Sequence, residues 1–205
     1  ITGFFQEINQ KYNDELKNGD LDDAECLLKR MMEIRRSVLP PRDPAVAEAL
    51  AAVGALQIAR GRYGEAEPFL DQALELWRYA GREKSREVAA AVNNLAQVYK
   101  LTRRYAEADV AYRRALAIAG EILGKDHQEY ALFLGNFAEL LLLQSRVEAA
   151  TKTYETAIGI LEARLGRSHP YVVNFRDGLA MTRIVLARQP KYTVSLQELS
   201  EERHR

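Results

Sequence analysis

Cysteine, tryptophan and methionine are scarce in this chain, and neither sign of charge is in excess. A single cysteine, Cys26, among 205 residues excludes an internal disulfide. We therefore expect a reducing compartment, the cytoplasm, with a cysteine-poor periplasmic protein as the alternative. Lys and Arg together number 29, as do Asp and Glu, and this balance argues against a dedicated nucleic-acid-binding protein. No apolar run approaches the roughly 18 residues of a membrane span, since even the stretch at 138–143 is interrupted by Glu139.

Sequence motifs of enzyme chemistry are also missing. The chain has three histidines, no His-Glu-x-x-His spacing for a metal ion and no glycine-rich phosphate loop. His127 and His169 fall in turns, so we expect them to bond turn backbone. We expect Cys26 to be buried or half-buried and structural rather than nucleophilic. The prediction is therefore no enzyme, no catalytic residue, no metal and no cofactor.

The sequence does contain a repeated segment. Ala24, Ala66, Ala108 and Ala150 recur at a constant interval, each inside a near-copy of one short segment, such as the one at 61–67. A fixed period of this size is typical of stacked supersecondary units. Such solenoids bury a continuous core and leave a long groove for binding, so the repeat directs the search for function towards surfaces.

Each period contains two amphipathic helices, because small and apolar residues recur at steps of three and four in both of its halves. Gly61 suits the left-handed residue that closes a first helix. We expect Pro68 in about the first turn of the second helix, where its missing N–H has little or no intrahelical partner to lose. The predicted fold is all-α, with four helix pairs in units of about 4–42, 43–84, 85–126 and 127–168 and a capping helix at 169–188. Residues 1–190 would form a single array. For the tail, 191–205, a short helix at 196–203 and a frayed end are the two alternatives.

The repeated segments resemble those of a known family. Small residues at 54, 96 and 138, at 66, 108 and 150, and at 73, 115 and 157 match the small positions of a tetratricopeptide repeat (TPR). The step of 42 residues, in place of about 34, and segments such as 92–96 and 123–127 resemble the kinesin-light-chain type. The resemblance covers 45–180 well and 4–38 weakly. It implies a right-handed α-solenoid of antiparallel helix pairs, a TPR superhelix whose first helices line the concave face.

Side-chain amides recur on these first helices. Asn94 and Asn136 share one position a period apart. A side-chain amide offers two donors and an acceptor, so it can pair with both groups of an extended peptide backbone, and the resemblance implies this use of Asn here. The alternative is that these amides bond within the fold or face water. The predicted peptide-binding residues are Asn94, Asn136, Asn93, Gln97, Lys100, Glu139, Asn9, Asn13 and Asn174.

We therefore expect a protein–protein interaction module that binds a peptide or helical segment of another protein in its concave groove, without nucleic acid as a partner. One alternative is a homo-oligomeric scaffold assembled through the array ends, where a weak first unit and an unpaired last helix expose stackable surface. Another is a regulatory segment of a larger signalling protein or enzyme, because a chain beginning at Ile1 rather than Met is expected to be a fragment or a processed form.

Overall fold

The computed structural model describes residues 10–11, 14–15, 18, 20–40 and 43–188, and all regular secondary structure in these ranges is helical. The predicted tail, 191–205, lies outside the described residues, as do Asn9 and Asn13. The described residues that precede Asp20, at 10–11, 14–15 and 18, are also helical. Eight helices follow: α1 Leu21–Val38, α2 Pro44–Ala59, α3 Tyr63–Tyr79, α4 Arg86–Leu101, α5 Tyr105–Ile122, α6 Gln128–Leu143, α7 Val147–Leu165 and α8 Pro170–Ala187.

These helices form antiparallel pairs, as the sequence predicts. We call α2, α4, α6 and α8 the first helices, and α1, α3, α5 and α7 the second helices. Short turns join α2 to α3 and α6 to α7, and both pairs pack closely along their length. The chain divides into two compact units at Ile118, so the first unit contains α1 to α4 with most of α5, and the second contains α6 to α8.

The first helices all begin at the same register position, where a side chain caps the helix. Asp43, Ser85, His127 and His169 follow one another at the interval of the repeat, and each accepts a hydrogen bond from a backbone N–H of the first turn. His127 Nδ1 accepts from Glu129 N at 3.2 Å, and His169 Nδ1 accepts from Tyr171 N at 3.3 Å. The structural role predicted for both histidines is therefore confirmed, because each satisfies a donor that the helix itself leaves unpaired.

The first helices α2, α4 and α6 also end alike, with a residue in the left-handed region. Gly61 has φ of 73°, as predicted, and its equivalents Arg103 and Ser145 have φ of 63° and 60°. This conformation turns the chain into the second helix within a few residues. Arg103 and Ser145 adopt it despite the crowding that a Cβ brings there.

Small residues let the paired helices approach, which is what holds each unit together. A Cβ added at Gly54 would lie 2.7 Å from Leu70 Cγ, and Ala66, Ala108 and Ala150 are fully buried. In the second unit, the Phe175 ring of α8 fills the space beside Gly135, where an added Cβ would lie only 1.9 Å from Phe175 Cζ. These contacts leave no room for larger side chains at the crossings.

Two expectations about α1 and α3 were wrong. Cys26 is exposed rather than buried, and so are its register equivalents Pro68, Val110 and Lys152. The apolar types at two of these positions suggested burial, but Val110 is 69% exposed. Pro68 is the sixth residue of α3 and lies in its second turn, so its missing N–H does deprive the Gly64 carbonyl of an intrahelical partner. Both Gly64 and Pro68 are exposed, which lets water solvate that carbonyl.

Candidate functional site

The side of the first unit formed by first helices is its inner side. Helices α2 and α4 contact each other directly, whereas α1 and α3 do not. Both α1 and α3 lie entirely within the described residues. Successive first helices therefore lie closer together than successive second helices. In the second unit, α6 likewise contacts α8.

A row of accessible side chains on α4 defines a set of register positions on the first helices, which we call the inner stripe. On α4 it consists of Ala90, Asn94 and Gln97, which are half-buried, and Leu101, which is 42% exposed. Their spacing of four, three and four residues keeps them on one face of the helix. The same register positions are Glu48, Ala52, Ala55 and Ala59 on α2, Leu132, Asn136, Glu139 and Leu143 on α6, and Asn174, Gly178, Met181 and Val185 on α8.

Five predicted residues lie on the inner stripe, and two do not. The five are Asn94, Gln97, Asn136, Glu139 and Asn174. Asn93 and Lys100 are buried, with only 6% and 7% of their surface exposed. Each is one residue away from a stripe position, which turns its side chain by about 100° around the helix into the packed interior. Asn93 and Lys100 are therefore corrections to the predicted set, while Asn9 and Asn13 lie outside the described residues.

The two amides at the shared position differ in what surrounds them. Within the described ranges, the Asn94 amide makes no hydrogen bond, and its side chain is half-exposed. Asn136 and Glu139 already interact with other groups of the protein. The half-buried Asn94 amide, which has two donors and one acceptor, is thus not engaged by the described part of the protein.

The amide series ends at α8. One period after Asn136, the position holds Gly178, and a Cβ added there would lie 2.6 Å from Tyr154 Cζ. The Tyr154 ring from α7 therefore covers this backbone, and its burial raises the pKa of the phenol above the ordinary value. On α8, the register position of Asn94 and Asn136 therefore packs against α7. Sequence periodicity alone did not indicate this contact.

The sequence reasoning missed the apolar end of the inner stripe. Leu101, Leu143 and Val185 share one register position and are 42%, 53% and 37% exposed. The predicted binding set contained polar and charged residues alone, so these three were not selected. The repeat itself could have identified them. They occupy the fourth position of the inner stripe, and residues at its first three positions had already been assigned to the surface.

A charged cluster links successive repeats within the first unit. Arg104, at the start of α5, donates to both carboxylate oxygens of Glu67 on α3, at 2.8 and 2.7 Å, and to Glu107. Its guanidinium also lies 4.2 Å from the centre of the Tyr99 ring. The two acids raise the pKa of Arg104, and partial burial raises that of Tyr99. This cluster connects one repeat to the next at an exposed edge of the first unit.

One acidic cluster in the described residues has a spacing suited to a metal ion. Carboxylate oxygens of Glu15, Asp20 and Asp23 lie within 4.8 Å of one another. Asp20 caps α1 by accepting from Asp23 N at 3.3 Å, which gives its carboxylate a structural role. Separately, none of the described helices is long and apolar enough to cross a membrane.

Comparisons with known proteins agree with this architecture. The family model for the tetratricopeptide repeat matches residues 13–78 and 87–183. The solved structure of BtubC (BKLC) from P. vanneervenii is 23% identical, with a TM-score of 0.77 over 98% of this chain and 80% of that one. The nearly identical TPR-like repeats of a Podosopora anserina putative kinesin light chain are 18% identical, with a TM-score of 0.72 over 98% of this chain and 95% of that one. No curated protein matches the chain.

Proposed function

Because the chain belongs to the tetratricopeptide repeat family, whose members bind other proteins, we propose that it is a non-catalytic module that binds an extended protein segment on its inner stripe. Its repeats have the fold of the kinesin-light-chain type. The observation that carries the proposal is Asn94, an amide without a partner in the described part of the chain, half-exposed beside Gln97 and Leu101.

The chemistry of the stripe supports backbone recognition combined with an apolar contact. The Asn94 amide can accept from a peptide N–H and donate to a peptide C=O at the same time. Leu101, two turns further along α4 and 42% exposed, offers surface to an apolar side chain of the bound segment. On α2 the stripe is nearly flat, with Ala52, Ala55 and Ala59, so it leaves room for the segment to lie against the helix. Asn136 and Leu143 repeat the pattern in the second unit.

The test begins with peptides selected from a random display library on the wild-type protein. Affinity is then measured by fluorescence polarisation for Asn94→Ala, Asn136→Ala and Leu101→Ser. We expect the two Asn substitutions each to weaken binding by about fivefold, because one net hydrogen bond contributes ~1 kcal/mol. Leu101→Ser should weaken binding as well, because less apolar surface is then buried against the bound segment. The matched control is Gln72→Ala, which removes an exposed amide from a second helix. Unchanged affinity in Asn94→Ala would contradict the proposed use of the amide.

An assembly role is the second candidate, and the surface of α8 favours it. Val173, Met181 and Ile184 are 46%, 55% and 47% exposed. The equivalents of Val173 in the earlier first helices, Ala47, Ala89 and Ala131, are fully buried. Two arginines of this helix are engaged with α7, where Arg176 and Arg183 contact Glu162 and Glu155 at 2.6 and 3.2 Å. We propose that a second copy of the chain covers this apolar face.

Light scattering across a concentration series tests the assembly role. We expect a mass above that of the monomer at high concentration, and a return to the monomer in Ile184→Lys because a charge would enter the apolar contact. Arg188→Glu, at the exposed end of the same helix, is the control for a change of charge alone. A wild-type protein that stays monomeric throughout would exclude this role.

A further inference from the structure

A cavity lies on the outer side of the first unit, away from the inner stripe. It has a volume of about 300 Å³ and lies between the second helices α1 and α3, which do not contact each other, with α2 as its floor. Its apolar walls are Leu28 and Met32 from α1, Val53 and Leu56 from α2, and Phe69 from α3. The cavity therefore exists because two second helices diverge while their first helices stay packed.

Gln57 is the buried polar residue of this lining, which also includes the charged residues Glu25, Lys29 and Glu33 of α1. Gln57 is only 6% exposed, and nothing in the described part of the chain donates to its buried Oε1. A buried acceptor that has lost its water and gained no donor is unfavourable. A ligand that brings an N–H or O–H group to Oε1 would therefore gain more here than a purely apolar ligand of the same shape.

The next repeat shows which side chain occupies the position equivalent to Gln57. Tyr99 occupies the register position of Gln57 in that repeat, and Arg104 lies over its ring at 4.2 Å. Arg104 is in turn held by Glu67. At the first junction the equivalent acid, Glu25, is instead paired with Lys29 at 2.9 Å and Arg60 at 3.0 Å. The chain thus places an aromatic ring with a hydroxyl at one junction and a smaller amide at the other.

We propose that the cavity floored by Gln57 is a second binding site, which receives an aromatic side chain with a ring donor, tyrosine or tryptophan, from a partner protein. The ring packs against Leu28, Met32 and Phe69, and its O–H or N–H donates to Gln57 Oε1. This combination of a rigid ring and one polar group is typical of residues that anchor protein interfaces. The site is independent of the inner stripe, so failure of either proposal leaves the other in place.

The test uses small probes rather than an unidentified partner. N-acetyl-tyrosinamide and N-acetyl-tryptophanamide are titrated into the full chain and followed by NMR, with N-acetyl-phenylalaninamide as the probe that lacks a donor. We expect shifts at the Met32 and Leu28 methyl groups, and binding of the tyrosine probe about threefold to tenfold tighter than the phenylalanine probe. Absence of these shifts, or equal affinity of the two probes, would overturn the proposal.

Two variants make the result specific to Gln57. In Gln57→Leu the preference for the tyrosine probe should disappear, because the acceptor is lost while the apolar walls remain. In Gln57→Tyr the ring of the new residue should fill the cavity, and probe binding should be lost in a folded protein. Gln72→Leu, on the exposed face of α3, is the matched control and should bind like the wild type. A preference that persists in Gln57→Leu would assign the donor contact elsewhere and refute the site.

Discussion

At the scale of single residues, the same backbone position is reached by three different amino acids. Gly61, Arg103 and Ser145 close α2, α4 and α6 with φ between 60° and 73°. The repeat requires this conformation because each first helix must reverse into its second helix within a few residues. Only glycine adopts this conformation without a steric cost. Arg103 and Ser145 therefore stabilise the fold less than glycine would at the same positions.

We therefore expect Ser145→Gly to raise the free energy of unfolding by ~1 kcal/mol, and Gly61→Ser to lower it by a similar amount. The reason is the crowding of Cβ in the left-handed region, which is relieved in one variant and introduced in the other. Denaturant titration followed by circular dichroism measures both. Gly159→Ser, at a helical glycine whose added Cβ meets open space, is the control. Opposite signs for Ser145→Gly and Gly61→Ser are required, and equal signs would contradict this account.

At the scale of helices, the sequence predicted positions well and surfaces less well. Pairing, the capping histidines and the close crossings were all predictable, because they follow from residue types that recur with the repeat. His127 and His169 lie in successive turns, one repeat apart. The register position of Gly54 holds a small residue, glycine or alanine, at each helix crossing. A feature that every repeat needs leaves a periodic signal, and that signal can be read without knowing which way a helix faces.

The orientation of each side chain on a helix was harder to predict. Asn93 and Asn94 are neighbours in the sequence, yet one is buried and the other half-exposed. Apolar composition was no better a guide, because Leu101 and Val110 are exposed. A shift of one residue turns a side chain by about 100°, so a small error in assigning a face moves a residue from groove to core. The cavity at Gln57 was not predictable at all, since it depends on how far α1 and α3 diverge.

At the scale of the whole molecule, stability in a repeat fold comes from contacts between neighbouring helices. A helix at the end of a stack has neighbours on one side only, and α8 is such a helix within the described residues, contacting α7 and α6. Its attachment depends on Phe175, which fills the space beside Gly135 and lies 6.0 Å from the Tyr154 ring. A hydrogen bond of 3.1 Å between Thr151 and the fully buried Thr182 adds a polar contact between α7 and α8.

This arrangement predicts that damage at the end of the stack stays local. Phe175→Ala removes a buried ring, which typically costs ~3–5 kcal/mol, and we expect the loss to appear mainly as detachment of α8. Hydrogen exchange read by mass spectrometry should then show fast exchange throughout α8 and a smaller increase in α6 and α7. Helices α2 and α3 should keep their wild-type rates, because they belong to the other compact unit. Val185→Ala, a partly exposed position on α8, is the matched control and should change little. A uniform rise in exchange across all helices would mean that the chain unfolds as one cooperative body, and the nearest-neighbour account of its stability would be wrong.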